Sequence, residues 1–130
     1  MFGSTKAFSG FAVDDVDKAR RFYVETLGLE VSEANGILTL HLAGDRPTIV
    51  YPKPGHTPAS FTILNFPVPD IEPAVRELAA RGVTFERYEG TPTETDAEGV
   101  FRGGGPLIAW FRDPAGNVLS VIEVAEGDAT

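Results

Sequence analysis

Over residues 6–13 apolar and small positions alternate with period two, putting Ala7, Ser9, Phe11 and Val13 on one side of a strand and Phe8, Gly10 and Ala12 on the other. The period then lengthens. Val16, Ala19, Phe22, Tyr23, Thr26 and Leu27 recur at helical spacing behind a cap at Asp14 or Asp15, and Gly28 supplies the C-terminal cap. Residues 29–32, 37–43 and 47–51 read as three short strands separated by turn residues at Asn35-Gly36 and Gly44-Asp45. The order β-α-β-β-β therefore fills a first module, residues 6–52.

Residues 53–58 form a proline- and glycine-rich connector that resists regular structure. A second module, residues 59–125, follows. It opens with a strand over 59–68, then a helix capped by Asp70 with Pro73 in its first turn and Ile71, Ala74, Val75 and Leu78 on one face, closed by Gly82. A strand over 83–88 and a long polar loop over 89–105 lead to a hairpin whose arms meet at 113–117. There Pro114 pre-sets φ, Asp113 can bond its own backbone, and Gly116 and Asn117 are expected at positive φ. Along the final arm Val118, Ser120 and Ile122 face one side, and Leu119, Val121 and Glu123 the other. Trp110 and Phe111 likewise point to opposite faces.

The modules echo each other in residues as well as in order. Val13-x-Asp15-Val16-Asp17-x-Ala19 returns as Val68-x-Asp70-Ile71-Glu72-x-Ala74, each ending at a glycine, Gly28 or Gly82. A duplicated unit that buries one sheet face under its helix leaves the other face free, and two such units side by side can curl into a cup.

Composition narrows the function classes. A chain of 130 residues with 42% hydrophobic content fits one α+β domain, and a formal net charge of -8 disfavours nucleic acid and anionic membranes. Cysteine is absent, which excludes disulfides, thiolate nucleophiles and sulfur-rich metal sites. No apolar run approaches the roughly 20 residues of a membrane span, and Met1 to Gly10 lacks the regions of a secretory signal, so a cytoplasmic location is expected.

The paired β-α-β-β-β units, the Val13-Asp14-Asp15-Val16 start with its Phe22-Tyr23 and Leu27-Gly28 helix, and the Phe111-Arg112-Asp113-Pro114-Ala115-Gly116-Asn117 turn together resemble the vicinal oxygen chelate superfamily. This is the glyoxalase, bleomycin-resistance and extradiol-dioxygenase group. The resemblance runs from Phe8 to Val124 and implies two modules forming an incomplete barrel, normally in a homodimer. It does not imply one activity.

Enzymes of that superfamily hold a divalent metal with His, Gln or Glu from the first and last strands of each module. The resemblance puts those positions at Phe8, at Val50 or its neighbour Tyr51, at Ile63 and at Ser120. None is a His, Gln or Glu. The chain is therefore expected to use neither metal nor cofactor. A set rebuilt from His41, His56 and Glu123 is the alternative, although Glu123 is expected to face away from Ser120.

The ligand-binding candidates are Phe8, Phe61, Ile63, Asn65, Ser120, His41, Tyr51 and Tyr88, with the last two at a rim. The glycines of Arg102-Gly103-Gly104-Gly105-Pro106 suggest a flap. The leading expectation is a metal-free protein that sequesters a small apolar or aromatic molecule, as bleomycin-resistance proteins do, with acidic charge favouring a cationic ligand. The rivals are a lyase or oxidoreductase with relocated metal ligands, and a structural or partner-binding protein whose cup Phe8 and Phe61 fill.

Overall fold

The computed structural model describes residues Met1 to Ala125. The chain folds as two compact units, one over Met1–Thr57 and one from Pro58 onward. Both follow the α+β plan of strand, helix and further strands.

In the first unit β1 (Ser9–Val13), β2 (Glu30–Ala34), β3 (Ile37–Leu42) and β4 (Arg46–Pro52) form one sheet in the order β1-β4-β3-β2. The outer pair β1 and β4 is parallel, and the others are antiparallel. Helix α1 (Val16–Arg21) starts where the Asp15 carboxylate accepts the Lys18 amide hydrogen at 3.1 Å, which settles the cap on Asp15. The helix then widens into a π-helical turn over Phe22–Thr26 before Gly28 closes it at φ 71°. Tyr23 on that turn is fully buried and its ring lies 5.9 Å from that of Phe11. Leu38, Leu40 and Val50 are fully buried on the same face.

The two hairpins of this sheet turn as their residues dictate. Asn35 and Gly36 both take positive φ, 55° and 77°, as do Gly44 and Asp45 at 84° and 56°, the pattern of tight turns whose twist matches the strands they join.

In the second unit β5 (Thr62–Val68), β6 (Ile108–Arg112) and β7 (Val118–Glu123) form a sheet in the order β5-β7-β6, with β5 and β7 parallel. Helix α2 (Ile71–Ala80) packs on β7, with Ile71 and Val75 buried, and Gly82 follows at φ 93°. The strand expected over 83–88 shrinks to one bridge between Phe85 and Phe111, together with the Glu86 amide donating to the Trp110 carbonyl at 2.8 Å. Tyr88 ends it. Its φ of 49° turns the backbone into the left-handed region, where an extended strand cannot continue.

The 113–117 turn is held more tightly than its residue types alone require. Asp113 is 4% exposed, and one carboxylate oxygen accepts the amide hydrogens of Ala115 and Asn117 at 3.0 and 2.9 Å. The other accepts from the Asn117 side chain at 3.0 Å. Gly116 takes positive φ, 87°, but Asn117 does not. Asn117 is present for its side-chain amide rather than for its backbone freedom.

Candidate functional site

Register decides which side chains share the face of the second sheet opposite α2. Asn65 on β5 is level with Ser120 on β7, and Ser120 is level with Trp110 on β6. Laterally paired residues project to one side, so these three make a row across the sheet. Leu119, Val121 and Phe111 project the other way and are buried. The expected alternation along β7 holds.

Two features of the row were hidden from strict alternation. A bulge falls between Thr62 and Leu64, so Thr62 pairs with Val118 and lies on Ser120's side, while Ile63 occupies the irregularity, half-buried. The Trp110 indole nitrogen donates to the Thr62 hydroxyl at 3.1 Å. Because Thr62 is on β5 and Trp110 on β6, the indole reaches across the intervening β7.

Aromatic rings extend the row beyond β6. Tyr88 meets Trp110 nearly edge-on, with centroids 5.4 Å apart, and Phe101 lies 5.8 Å away at a tilt. Such contacts hold the indole in one orientation. Burial, then the neighbouring Glu86 carboxylate, raise the Tyr88 phenol above the ordinary tyrosine range despite the opposing Arg112. Tyr88 is thus a neutral hydroxyl at physiological pH. Arg112 itself is paired with Glu86 and donates to the Gly116 carbonyl at 3.1 Å.

At the centre of the row Ser120 is fully buried and its hydroxyl donates to the Asn65 side-chain oxygen at 2.5 Å. Glu123 projects to the other face, as expected, and its carboxylate accepts the Ile71 amide hydrogen at 3.0 Å. It is a structural group of helix α2.

In the first unit the free face carries Gly10, Ala12, Thr39, His41, Ile49 and Tyr51. Val50, one of the two positions the resemblance offers for a metal ligand, points into the core under α1, which leaves Tyr51, 37% exposed, as the residue on the free face. His41 is exposed and its Nε2 shares a hydrogen bond of 2.8 Å with the Ser32 hydroxyl. Phe8 lies just before β1, 62% exposed, and Phe61 just before β5, 68% exposed. The structure therefore joins Asn65, Ser120 and Tyr88 in one cluster, adding Trp110, Thr62 and Phe101. Phe8, His41 and Tyr51 belong to the first unit.

A divalent ion needs lone pairs, and the side chains of Phe8 and Ile63 offer none. Among the described residues no group of three or more His, Asp or Glu side chains is placed to hold a metal. The residues at these positions do not fit the superfamily's usual metal centre.

The expected flap is anchored at its base. The Thr95 hydroxyl, 4% exposed, donates to the Glu86 carbonyl at 2.9 Å. Asp96 accepts from the Glu98 and Val100 amides, each at 2.9 Å, and from Arg102, which also reaches Glu72 on α2 at 3.2 Å. Burial raises the Asp96 pKa, but the Val100 amide, Arg102 and the Glu98 amide outweigh it and hold the carboxyl below the ordinary aspartate range.

A family model described as the Glyoxalase/Bleomycin resistance protein/Dioxygenase superfamily matches residues 7–121. The chain belongs to this superfamily. Solved structures that match the chain include relatives with the same fold. One is a superfamily member from Sphaerobacter thermophilus DSM 20745, 27% identical, covering 91% of this chain and 97% of that one with a TM-score of 0.64. Another is TnmS3, an antibiotic binding protein from Streptomyces sp. CB03234, 24% identical over 94% and 98% of the two chains at a TM-score of 0.64. The fosfomycin resistance protein FosX from Mesorhizobium loti shares the fold at 12% identity, covering 94% and 93% with a TM-score of 0.63. No curated protein sequence matches. No helix among the described residues is long and apolar enough to cross a membrane.

Proposed function

We propose that this superfamily member is a metal-free small-molecule-binding protein that holds an apolar or aromatic ligand against Trp110. The observation that carries the reading is the indole itself, tied to Thr62 across β7 and braced by Tyr88 and Phe101. An oriented aromatic wall with a few neutral polar groups is the usual make-up of a small-molecule site. Ser120, where the superfamily's enzymes would place a metal-binding carboxylate, instead donates to Asn65. TnmS3 supports the reading by likeness, since it shares the fold and is described as an antibiotic binding protein.

The net charge of -8 favours neutral or cationic ligands over anions. A homodimer, as the superfamily resemblance implies, is part of the same reading.

Trp110 is the chain's single tryptophan, so its fluorescence reports on this face alone. Titration with the uncharged probe N-phenyl-1-naphthylamine is expected to give saturable energy transfer from Trp110, and elemental analysis far less than one metal per chain. Non-saturable transfer would sink the ligand reading. A stoichiometric metal whose removal abolishes a catalytic activity would sink the metal-free one.

A further inference from the structure

Asn65 is exposed, yet its side-chain oxygen is already engaged by the buried Ser120 hydroxyl. The separation of 2.5 Å suits an O–H donor and is short for an amide N–H, so the oxygen of Asn65 faces inward and its NH2 group faces out. Among the described residues that nitrogen has no hydrogen-bond partner. Two oriented N–H donors are therefore presented on the face that carries Trp110.

Their position relative to the indole is set by the sheet. Thr62 receives the indole N–H on β5, and Asn65 is the next residue of that strand on the same face once the bulge at Ile63 is passed. Trp110 thus spans β7 and ends on the strand that holds Asn65. A ring laid along the indole would therefore run toward the strand that carries the amide.

We propose, building on the ligand-binding reading above, that Asn65 is the polar anchor of this site and selects an uncharged carbonyl oxygen carried on an aromatic ring. An NH2 group with its own oxygen occupied donates and does not accept, so the complementary atom is an acceptor. A carboxylate would also accept, but the net charge of -8 opposes it. Ser120 is a positioning residue, because its hydroxyl fixes which end of the amide points outward.

The test compares 1-indanone with indane, which differ by a carbonyl in place of a methylene. The indole N–H of Trp110 gives one resonance to follow by NMR in the full-length protein. A neutral hydrogen bond exchanged for water contributes a factor of about five in affinity. The ratio of the indane to the indanone dissociation constant is expected to fall roughly fivefold from the wild type to Asn65→Leu, and similarly for Asn65→Asp, which keeps the shape but lacks donors. If both probes bind and the ratio is the same in all three proteins, the anchor is overturned while the ligand-binding reading stands. Should neither probe shift the indole resonance, both fail together.

Discussion

Glu123, on the last strand, accepts the backbone N–H of Ile71, the first residue of helix α2, at 3.0 Å. The helix has an aspartate at its N-cap, Asp70, in the extended conformation expected there, but that side chain makes no capping bond. A carboxylate from 52 residues further along the chain satisfies the helix start instead.

The consequence is an inverted mutational pattern at this helix. Glu123→Ala is expected to cost about 1 kcal/mol, whereas Asp70→Ala should stay within about 0.5 kcal/mol. Urea unfolding of the two variants measures the difference, and a larger loss for Asp70→Ala would contradict the assignment.

Asp113 provides a second case. Removing its carboxylate takes one acceptor from each of the Ala115 and Asn117 amides and from the Asn117 side chain. Asp113→Ala is expected to destabilise by roughly 3 kcal/mol, with Asp113→Asn losing less because one acceptor oxygen remains. Equal losses from the two would show that charge, not acceptor geometry, holds the turn.

The 91–102 segment should loosen in acid. Asp96 has a folded-state pKa below its unfolded value, so its contribution is present above the ordinary aspartate pKa of about 4 and is lost as pH falls through the lower folded value. Hydrogen exchange at the Val100 and Glu98 amides, both donors to Asp96, is expected to quicken below about pH 4 beyond the intrinsic trend. Asp96→Asn should remove that pH dependence.

Much of the architecture is written locally. The change of period after Val13, the Asp15 cap, and the glycines at 28 and 82 mark strands, helices and their ends, because each depends on neighbours within a turn or two of chain. The site was legible in part. Trp110 and Phe111 separate as adjacent strand residues do, whereas Asn65 and Ser120 share a face through the register of β5 against β7.

The rest depended on residues far apart in sequence. Thr62 joins the row only because a bulge at Ile63 breaks the alternation, and no side-chain pattern announces that bulge. Residue pattern places Tyr88 at the end of a strand, yet its left-handed backbone ends the pairing, and its ring packs against Trp110. Val50 and Tyr51 could not be separated until the pairing with β1 and β3 put Val50 in the core.

By itself, then, the sequence determined the order of elements apart from the strand expected over 83–88, the turns at 35–36, 44–45 and 113–117, and the lack of His, Gln or Glu at the positions the resemblance assigns to metal ligands. These follow from local backbone preference and from side-chain chemistry, which no fold can change. The tertiary structure decided the Ser120 to Asn65 bond across 55 residues, the reach of Trp110 to Thr62, and the capping of Ile71 by Glu123. Strand register and long-range packing fix such pairs, and a one-residue shift along any strand would turn them to the other face.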